Sequence, residues 1–255
     1  MAGWYCGRGS EYPARVCAGR VRGEPAALRP PVGGLILFAR GLLFVWIAAW
    51  IVLGFAWAPV VPVLGDTTRV LYFHIPAAWV TVVALAWSMI QSVLYLAKRR
   101  IEHDDQAAAS AELGMLFCIV ATISGSMWAK AMWGSYWNWD PRETSIFFLL
   151  LIYAAYLALR GAIEGEERRA RLSAIYSAAA FVAVPFLMFI VPRIYDSLHP
   201  SPILPSREQG SMDPRITMVF LAMLVGFTAL FYWLLSLRAR FARVERRLLE
   251  AVVHG

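Results

Sequence analysis

The chain has 255 residues, of which 60% are hydrophobic and only 16% are charged. Soluble domains are about a quarter charged. Because the excess apolar residues fall in long runs, the composition excludes an ordinary soluble protein and predicts one membrane domain. The formal net charge is +7. Since arginine and lysine flank membrane spans and set their orientation, this charge does not imply a nucleic-acid partner, and we expect none.

Six apolar runs are long enough to cross a bilayer, because about 20 residues of helix span its hydrocarbon core. Backbone polar groups must be paired inside lipid, and the sequence lacks the alternation of barrel strands. The pattern therefore predicts an all-α integral membrane protein with six transmembrane helices. The predicted spans cover residues 34–58, 77–97, 109–128, 145–163, 172–191 and 216–237.

Positive charges assign the two sides of the membrane. Counting Arg160 near the inner end of the fourth run, seventeen of the 24 lysines and arginines lie before the first run, after the sixth, or at the connections after the second and fourth runs, whereas six lie in the other three connections. We therefore expect both termini in the cytoplasm. Residues 59–76, 129–144 and 192–215 then form outer loops, and residues 98–108 and 164–171 form short inner connectors.

The basic ends of the chain are predicted to flank the membrane domain. Residues 1–33 lack the apolar core of a signal peptide and predict a disordered cytoplasmic tail. Residues 34–238 form the membrane domain, and residues 239–255 form a basic cytoplasmic tail. Cys6, Cys17 and Cys118 form neither a C-x-x-C-H haem-attachment motif nor a zinc pattern. Cys118 lies in the third run and is expected to be a packing residue.

The second outer loop is dense in aromatic residues. Residues 128–144, here called the tryptophan-rich segment, carry four tryptophans and one tyrosine. An interfacial aromatic belt explains one or two such residues at the end of a span, but not this density. The rings offer flat, rigid faces for a large planar apolar ligand. Asp140, Arg142 and Glu143 can fix the loop by hydrogen bonds, and Asp140 with Thr144 can cap the helix that follows.

Two of the four histidines are predicted to lie on the same side of the membrane as this segment. His74 precedes the second run, and His199 lies in the third outer loop. Two neutral imidazoles can hold haem iron as an axial pair. Each would need a partner to set its tautomer, and the sequence does not name one. His103 is expected to be solvated in an inner connector, and His254 is expected to be free near the C-terminus.

Haem carries two propionates, for which the outer side offers several cations. The sequence does not decide among them. They are Arg69, Lys130, Arg142, Arg193 and Arg207.

The run W-G-S-Y-W-N-W-D-P-R-E-T at residues 133–144 resembles the WWD signature of haem-handling proteins in cytochrome c biogenesis. The chain is most similar to the haem exporter protein C (CcmC) family over residues 34–240. The resemblance includes R-V-L-Y-F-H-I-P-A-A-W at 69–79, S-G-S-M-W-A-K-A-M at 124–132, D-S-L-H at 196–199 and D-P at 213–214. It implies b-type, non-covalent haem with His74 and His199 as axial ligands. The haem-binding residues expected beside them are Trp133, Gly134, Tyr136, Trp137, Trp139, Asp140, Arg142, Thr144 and Arg69.

The resemblance also implies a role. Such a protein binds haem at the outer face of the cytoplasmic (inner) membrane, with the tryptophan-rich segment facing the periplasm, and delivers it to a membrane-anchored haem chaperone. The further partners implied are a small one-span subunit and ABC-type ATPase transporter subunits. No nucleotide-binding G-x-x-x-x-G-K-[ST] motif occurs in the chain. We therefore expect a haem-binding and transfer protein without its own ATPase or hydrolytic site.

Three alternatives stay open at this point. The D-P-R-E-T ending is typical of single-system proteins that move haem and attach it directly, which favours a transporter and cytochrome c synthetase subunit. A secondary transporter would place charges or broken helices near the midplane, where this chain has few charges and Pro185 is the main interruption. A structural subunit without a ligand is the third.

Overall fold

The computed structural model describes residues 32–199 and 213–254. The predictions for the tail before residue 32, Cys6, Cys17, Arg207 and the side chain of His254 lie outside the described residues. The chain divides after residue 40 into two units. The first is described only over residues 32–40, the first turns of one helix, and all contacts given below lie within the second.

The described residues are helical except in the connections. A 3-10 turn, Asp66–Val70, leads into the second helix, and a π-helical turn, Phe186–Ile190, separates two short α-helical pieces. The α-helices are α1 (Val32–Ala56), α2 (Leu71–Lys98), α3 (Ile101–Trp133), α4 (Pro141–Ala162), α5 (Glu166–Ala180), α6 (Ala183–Pro185), α7 (Val191–Ile194) and α8 (Pro214–His254).

Six helical stretches within the described ranges are long and apolar enough to cross a membrane. The predicted fold class of a multi-pass all-α membrane protein with six spans is confirmed, while the sidedness of the termini stays a prediction. The stretches are Gly34–Ala56, Asp66–Lys98, Ile101–Trp133, Pro141–Ala162, Glu166–Ile194 and Pro214–Leu248.

Helices α2 and α3 form a closely packed antiparallel pair. Ser88 Oγ donates to the Ala107 carbonyl at 2.8 Å, and Ser110 Oγ donates to the Ala84 carbonyl at 2.7 Å. Small and hydroxyl side chains let helices approach closely in lipid and supply hydrogen bonds between them. Cys118 on α3 is 2% exposed and packs in the core, as predicted. This pair is the rigid frame on which the candidate site lies.

The inner connector predicted over residues 98–108 is wrong. Only Arg99 and Arg100 lie between α2 and α3. Glu102 and Asp104 lie in the first turn of α3, where carboxylates stabilise the positive end of the helix dipole. His103 is half-buried rather than solvated, because its side chain lies against Gln91 on α2. The charged residues of the predicted connector therefore extend the helix.

Ion pairs and a polar contact join the helices at this end of the bundle. Asp104 is 3% exposed and accepts two hydrogen bonds from Arg160 on α4, at 2.7 and 2.6 Å. His103 Nδ1 lies 2.7 Å from Gln91 Oε1 on α2. These contacts fix the ends of three helices at the side opposite the tryptophan-rich segment.

The fifth span is broken where Pro185 predicts an interruption. The helix changes from α to π geometry directly after this residue. Proline has no N–H and its ring clashes with the preceding turn, so the regular hydrogen-bond ladder cannot continue through it. Beyond the π-helical turn, the Arg193 Nη1 group donates to the Phe189 carbonyl. The break after Pro185 therefore determines the position of α7, the last helical turn of this span.

Candidate functional site

His74 lies in α2 and not in a loop, because α2 begins at Leu71 and shortens the outer connection predicted over residues 59–76. Its Nδ1 lies 3.0 Å from the Ala121 carbonyl and 3.2 Å from Ser124 Oγ, both on α3. A carbonyl only accepts hydrogen bonds, so the proton of a neutral imidazole is on Nδ1. The lone pair of Nε2 is then available to a metal.

Gly125 makes room for this imidazole. A Cβ added at Gly125 would lie 2.8 Å from His74 Cε1, so a larger residue would push the ring away. Sequence reasoning missed the supporting role of Ala121, Ser124 and Gly125. The small residues at 124–126 were the available signal of a close contact. They did not identify the contacting residue, because His74 lies 47 positions away from Ala121 along the chain.

The tryptophan-rich segment forms a short connection between two helices. α3 extends to Trp133, and Gly134 ends it with a φ of 77°, a conformation that glycine adopts without strain. Asp140 caps α4 as predicted, in a capping box with Glu143. Thr144 instead donates its hydroxyl to the Trp139 carbonyl at 3.1 Å. Only residues 134–140 of the predicted loop are therefore irregular.

The Asp140 carboxylate joins this segment to His199. It is 4% exposed and accepts from the backbone N–H of Arg142 at 2.9 Å and of Leu198 at 2.7 Å. Ser197 Oγ donates to both carboxylate oxygens, at 3.0 and 2.9 Å. His199 Nδ1 lies 2.9 Å from Asp140 Oδ1. Asp140 is thus the tautomer-setting partner of His199, and Ser197 is a supporting residue that sequence reasoning did not identify.

The protonation states follow from these contacts. Burial raises the pKa of Asp140, but hydrogen bonds from Arg142, Ser197 and Leu198 outweigh it and hold the pKa below its usual value. Burial lowers the pKa of His199 to about 4, against the opposing attraction of Asp140. At neutral pH an uncharged imidazole therefore donates Nδ1–H to a carboxylate. Its Nε2 is left unprotonated, as in His74.

Two tryptophans enclose the His199 ring. Trp128 is 5% exposed and stacks on it, with centroids 5.6 Å apart and an angle of 27° between the planes. Trp133 meets the ring edge-on at 4.9 Å. Aromatic contacts of this kind restrict both the position and the rotation of an imidazole.

The other aromatic residues of the segment form a separate group. Trp137 and Trp139 pack edge-on at 5.8 Å and both contact Phe147 on α4. Tyr136 is 60% exposed and lies under the Lys130 ammonium group, 5.4 Å from its ring centroid. Of the four aromatic residues predicted to form one surface, only Trp133 therefore contacts a candidate ligand histidine within the described residues.

The cations differ in their contacts. Arg69 Nη1 donates to the Gly54 and Phe55 carbonyls, at 2.7 Å each, and so holds the end of α1. Arg142 makes no side-chain hydrogen bond or ion pair within the described parts of the chain, and its Nε is buried. Trp128 Nε1 is likewise buried without a hydrogen-bond partner among those residues. These donors suit an external acceptor.

The two histidines belong to one electrostatic neighbourhood. The charge of Arg142 acts on both imidazoles, and His74 acts on His199. Among residues 32–199 and 213–254, no group of three or more histidine, cysteine, aspartate or glutamate side chains could hold a bare metal ion. Two nitrogen donors suit an iron whose other four ligands come from a porphyrin.

The sequence profile of the heme exporter protein C family matches residues 23–254 of this chain. The chain belongs to the heme exporter protein C family. It is 31% identical to a heme exporter protein C of Rhodobacter capsulatus over 82% of this chain and 89% of the relative. It is 29% identical to the protein of that name from Paracoccus denitrificans, over 84% and 91%. A cytochrome c biosynthesis ccmC-like mitochondrial protein of Marchantia polymorpha is 28% identical, over 72% and 74%.

The match confirms the resemblance drawn from the sequence. In this member of the heme exporter protein C family, two imidazoles have Nδ1 engaged and Nε2 available. The Arg142 Nε and Trp128 Nε1 groups, which have no hydrogen-bond partner among the described residues, lie in the same region. Such an arrangement can bind a planar metal complex that carries acidic groups.

Proposed function

We propose that this chain binds haem between His74 and His199 at the outer face of the cytoplasmic membrane, and delivers it to a membrane-anchored haem chaperone during cytochrome c maturation. The observation that carries the proposal is the matched state of the two imidazoles. Each has its Nδ1 against an acceptor, the Ala121 carbonyl or the Asp140 carboxylate. Each therefore offers Nε2, the nitrogen that ligating histidines present when the other is hydrogen-bonded.

The family supports this role. The relatives are named for haem export and for cytochrome c biosynthesis, and we extend haem handling in cytochrome c maturation to this chain. We propose that the haem is b-type and bound without a covalent link. The partners proposed with it are the haem chaperone, a small one-span subunit and ABC-type ATPase transporter subunits.

Each part of the tryptophan-rich segment has a proposed task. Trp133 contacts the haem ring beside His199, and the exposed rings of the second aromatic group extend the apolar surface towards the periplasm. Asp140 orients His199. Arg69 precedes α2 and donates to a carbonyl at the end of α1, and so holds the start of α2 in place. The other residues proposed to line the haem site are Gly134, Tyr136, Trp137, Trp139, Arg142 and Thr144.

An optical spectrum of the detergent-purified full-length protein tests the ligand assignment. The wild type should show the sharp Soret and α/β bands of six-coordinate haem. H74A and H199A should each give five-coordinate spectra that added imidazole restores, and the double variant should bind haem weakly. H103A is the matched control, because this histidine lies at the opposite end of the bundle, and its spectrum should be unchanged. An unchanged six-coordinate spectrum in the double variant would refute the assignment.

Delivery is tested separately. The haem-loaded chain should transfer haem to a co-expressed haem chaperone and co-purify with it. Transfer to apocytochrome c without a chaperone would instead support the synthetase alternative.

A further inference from the structure

The end of the bundle opposite the tryptophan-rich segment carries two kinds of cation. Some are bound to carboxylates of α3, as in the pairs Arg160–Asp104, Arg238–Glu112 and Arg246–Asp105. Five others, at the end of α2 and the start of α5, form no side-chain hydrogen bond or ion pair with any described residue. These five, here called the α2–α5 basic cluster, are Lys98, Arg99, Arg168, Arg169 and Arg171.

Two contacts align α5 antiparallel to α2. The hydroxyl oxygens of Ser88 and Ser177 are 3.2 Å apart. Seven residues later on α2, Tyr95 packs in one buried cluster with Ala170, which is seven residues earlier on α5. Continuing this alignment by one turn brings the end of α2 beside the first turn of α5. The α2–α5 basic cluster is therefore one site and not a set of scattered surface charges.

Two members of the cluster occupy positions that are unfavourable without a ligand. Arg169 is half-buried, and its Nε is buried without a hydrogen-bond partner among the described residues. Burying a guanidinium donor in this way is unfavourable unless an acceptor reaches it. Arg99 follows α2 with a φ of 55°, the left-handed conformation that glycine usually supplies at a helix end. Each residue therefore adds a cation where the fold alone favours a different residue.

Nearby carboxylates do not neutralise the cluster. Glu166 is already the partner of Arg246, at 3.7 Å. Glu164 and Glu167 are exposed and form no ion pair with any described residue. The α2–α5 basic cluster therefore keeps a net positive charge, which favours an anionic ligand.

An exposed apolar surface continues from the cluster along both helices. Arg168, Arg171 and Ile175 are spaced by three and four residues, so they share one face of α5, and all three are exposed. On α2, Val93 is exposed directly after Ser92, which is buried. Both helices belong to stretches that are long and apolar enough to cross a membrane. A ligand that reaches the cations from the bilayer therefore also contacts apolar side chains.

We infer that the α2–α5 basic cluster binds the headgroup of an anionic phospholipid of the inner leaflet. The lipid phosphate contacts Arg169 and the exposed arginines of α5, while the acyl chains lie along Val93 and Ile175. Basic residues at the cytoplasmic ends of transmembrane helices attract acidic lipids, and basic pockets between such helices bind lipid headgroups. A free phosphate ion would use only the cations, whereas a phospholipid uses both the cations and the apolar surface. This site lies at the opposite end of the bundle from His74 and His199 and does not depend on the proposed function.

The test measures lipid binding to the full-length protein in detergent by energy transfer from tryptophan to pyrene-labelled lipids. Labelled phosphatidylglycerol is the anionic probe, and labelled phosphatidylcholine is the zwitterionic reference. The wild type should bind phosphatidylglycerol at least about tenfold more tightly, because several cations each contribute near the membrane surface. Raising the ionic strength from about 0.1 M to about 1 M should reduce this preference, since the screening length falls from about 10 Å to about 3 Å.

Two double variants provide the matched comparison. R168Q/R171Q should weaken phosphatidylglycerol binding by about tenfold and leave phosphatidylcholine binding unchanged. R240Q/R247Q removes the same charge from two exposed arginines of α8 at the same end of the bundle, and should leave both affinities unchanged. Both variants change exposed side chains, so their unfolding midpoints in phosphatidylcholine micelles should equal that of the wild type.

A buried member of the cluster and a competing ion complete the test. R169Q should also weaken phosphatidylglycerol binding, and R169K should restore part of it. Inorganic phosphate at the same ionic strength as sodium chloride should displace no more lipid than the chloride does.

Three results would overturn the inference. Equal affinity of the wild type for the two lipids would leave the cations to a soluble acidic partner. Equal losses in the two double variants would show a general effect of positive charge and not a site. Displacement of phosphatidylglycerol by inorganic phosphate alone would assign the cluster to a free anion.

Discussion

Replacing Asp140 by asparagine tests how the tryptophan-rich segment controls His199. The carboxylate accepts from Arg142 N, Ser197 Oγ, Leu198 N and His199 Nδ1. Asparagine is as good a helix N-cap as aspartate, so α4 should keep its cap. The asparagine amide has only one oxygen, however. Its NH2 group is itself a donor and would face the groups that donate to the carboxylate in the wild type.

The magnitude follows from the contacts that are lost. One oxygen cannot serve both Arg142 and His199 on one side and Leu198 on the other, so at least one buried donor loses its partner, at a cost of about 1–3 kcal/mol. The imidazole also loses its anionic partner, and such losses beside a metal ligand typically weaken binding by about 10–100-fold. We therefore expect D140N to fold with reduced stability and to bind haem about 10–100-fold more weakly.

The assay is a Soret titration of purified protein, together with a thermal unfolding curve of the same samples. E143Q is the matched control, because Glu143 is also buried, lies in the same helical turn, and accepts from backbone N–H groups without touching His199. E143Q should lose stability but keep its haem affinity. Wild-type affinity in D140N, or an equal loss in E143Q, would refute the proposed role of Asp140.

Three further outcomes are expected. G125A places a Cβ 2.8 Å from His74 Cε1; overpacking costs about 1–3 kcal/mol, so haem affinity measured by titration should fall about tenfold. Burial lowers the pKa of His199 from 6.5 to about 4, so its contribution to stability is full above pH 6.5 and is lost as the pH falls towards 4. The free energy of unfolding should change by at most about 1.4 kcal/mol per pH unit in this range, and the change is measured from unfolding midpoints of the haem-free protein. D104N leaves the half-buried Arg160 guanidinium without its charge partner, which should cost up to about 3 kcal/mol of stability with no change in the haem spectrum.

Each of these has its own control. A Cβ at Gly161 meets nothing, so G161A should leave haem affinity unchanged; equal losses in the two glycine variants would contradict the steric argument. H199Q cannot titrate, so its stability should depend less on pH between 6.5 and 4, and identical slopes would contradict the assignment. If D104N instead altered the haem spectrum, the two ends of the bundle would be coupled in a way that the contacts do not explain.

Much of the fold could be predicted from local chemistry, that is, from residues close together in the sequence. Apolar run length predicted the six spans, because a bilayer requires helices of a minimum length. The cap at Asp140 and the break after Pro185 were also predictable, since both depend on residues within one helical turn. The inner connector was misjudged because charged residues at the start of α3 were interpreted as a loop, although acidic residues there favour a helix.

The amino-acid sequence by itself determined that this is a six-span membrane protein of the heme exporter protein C family, with two histidines and a tryptophan-rich segment as its candidate ligand-binding residues. Only the tertiary structure decided which nitrogen each imidazole offers, which tryptophans enclose His199, and which residue orients its ring. The physical reason is distance along the chain. His199 and Asp140 are 59 positions apart, and His74 and Ala121 are 47 apart. Hydrogen-bond partners this remote are set by how the helices pack, which short-range sequence patterns do not encode.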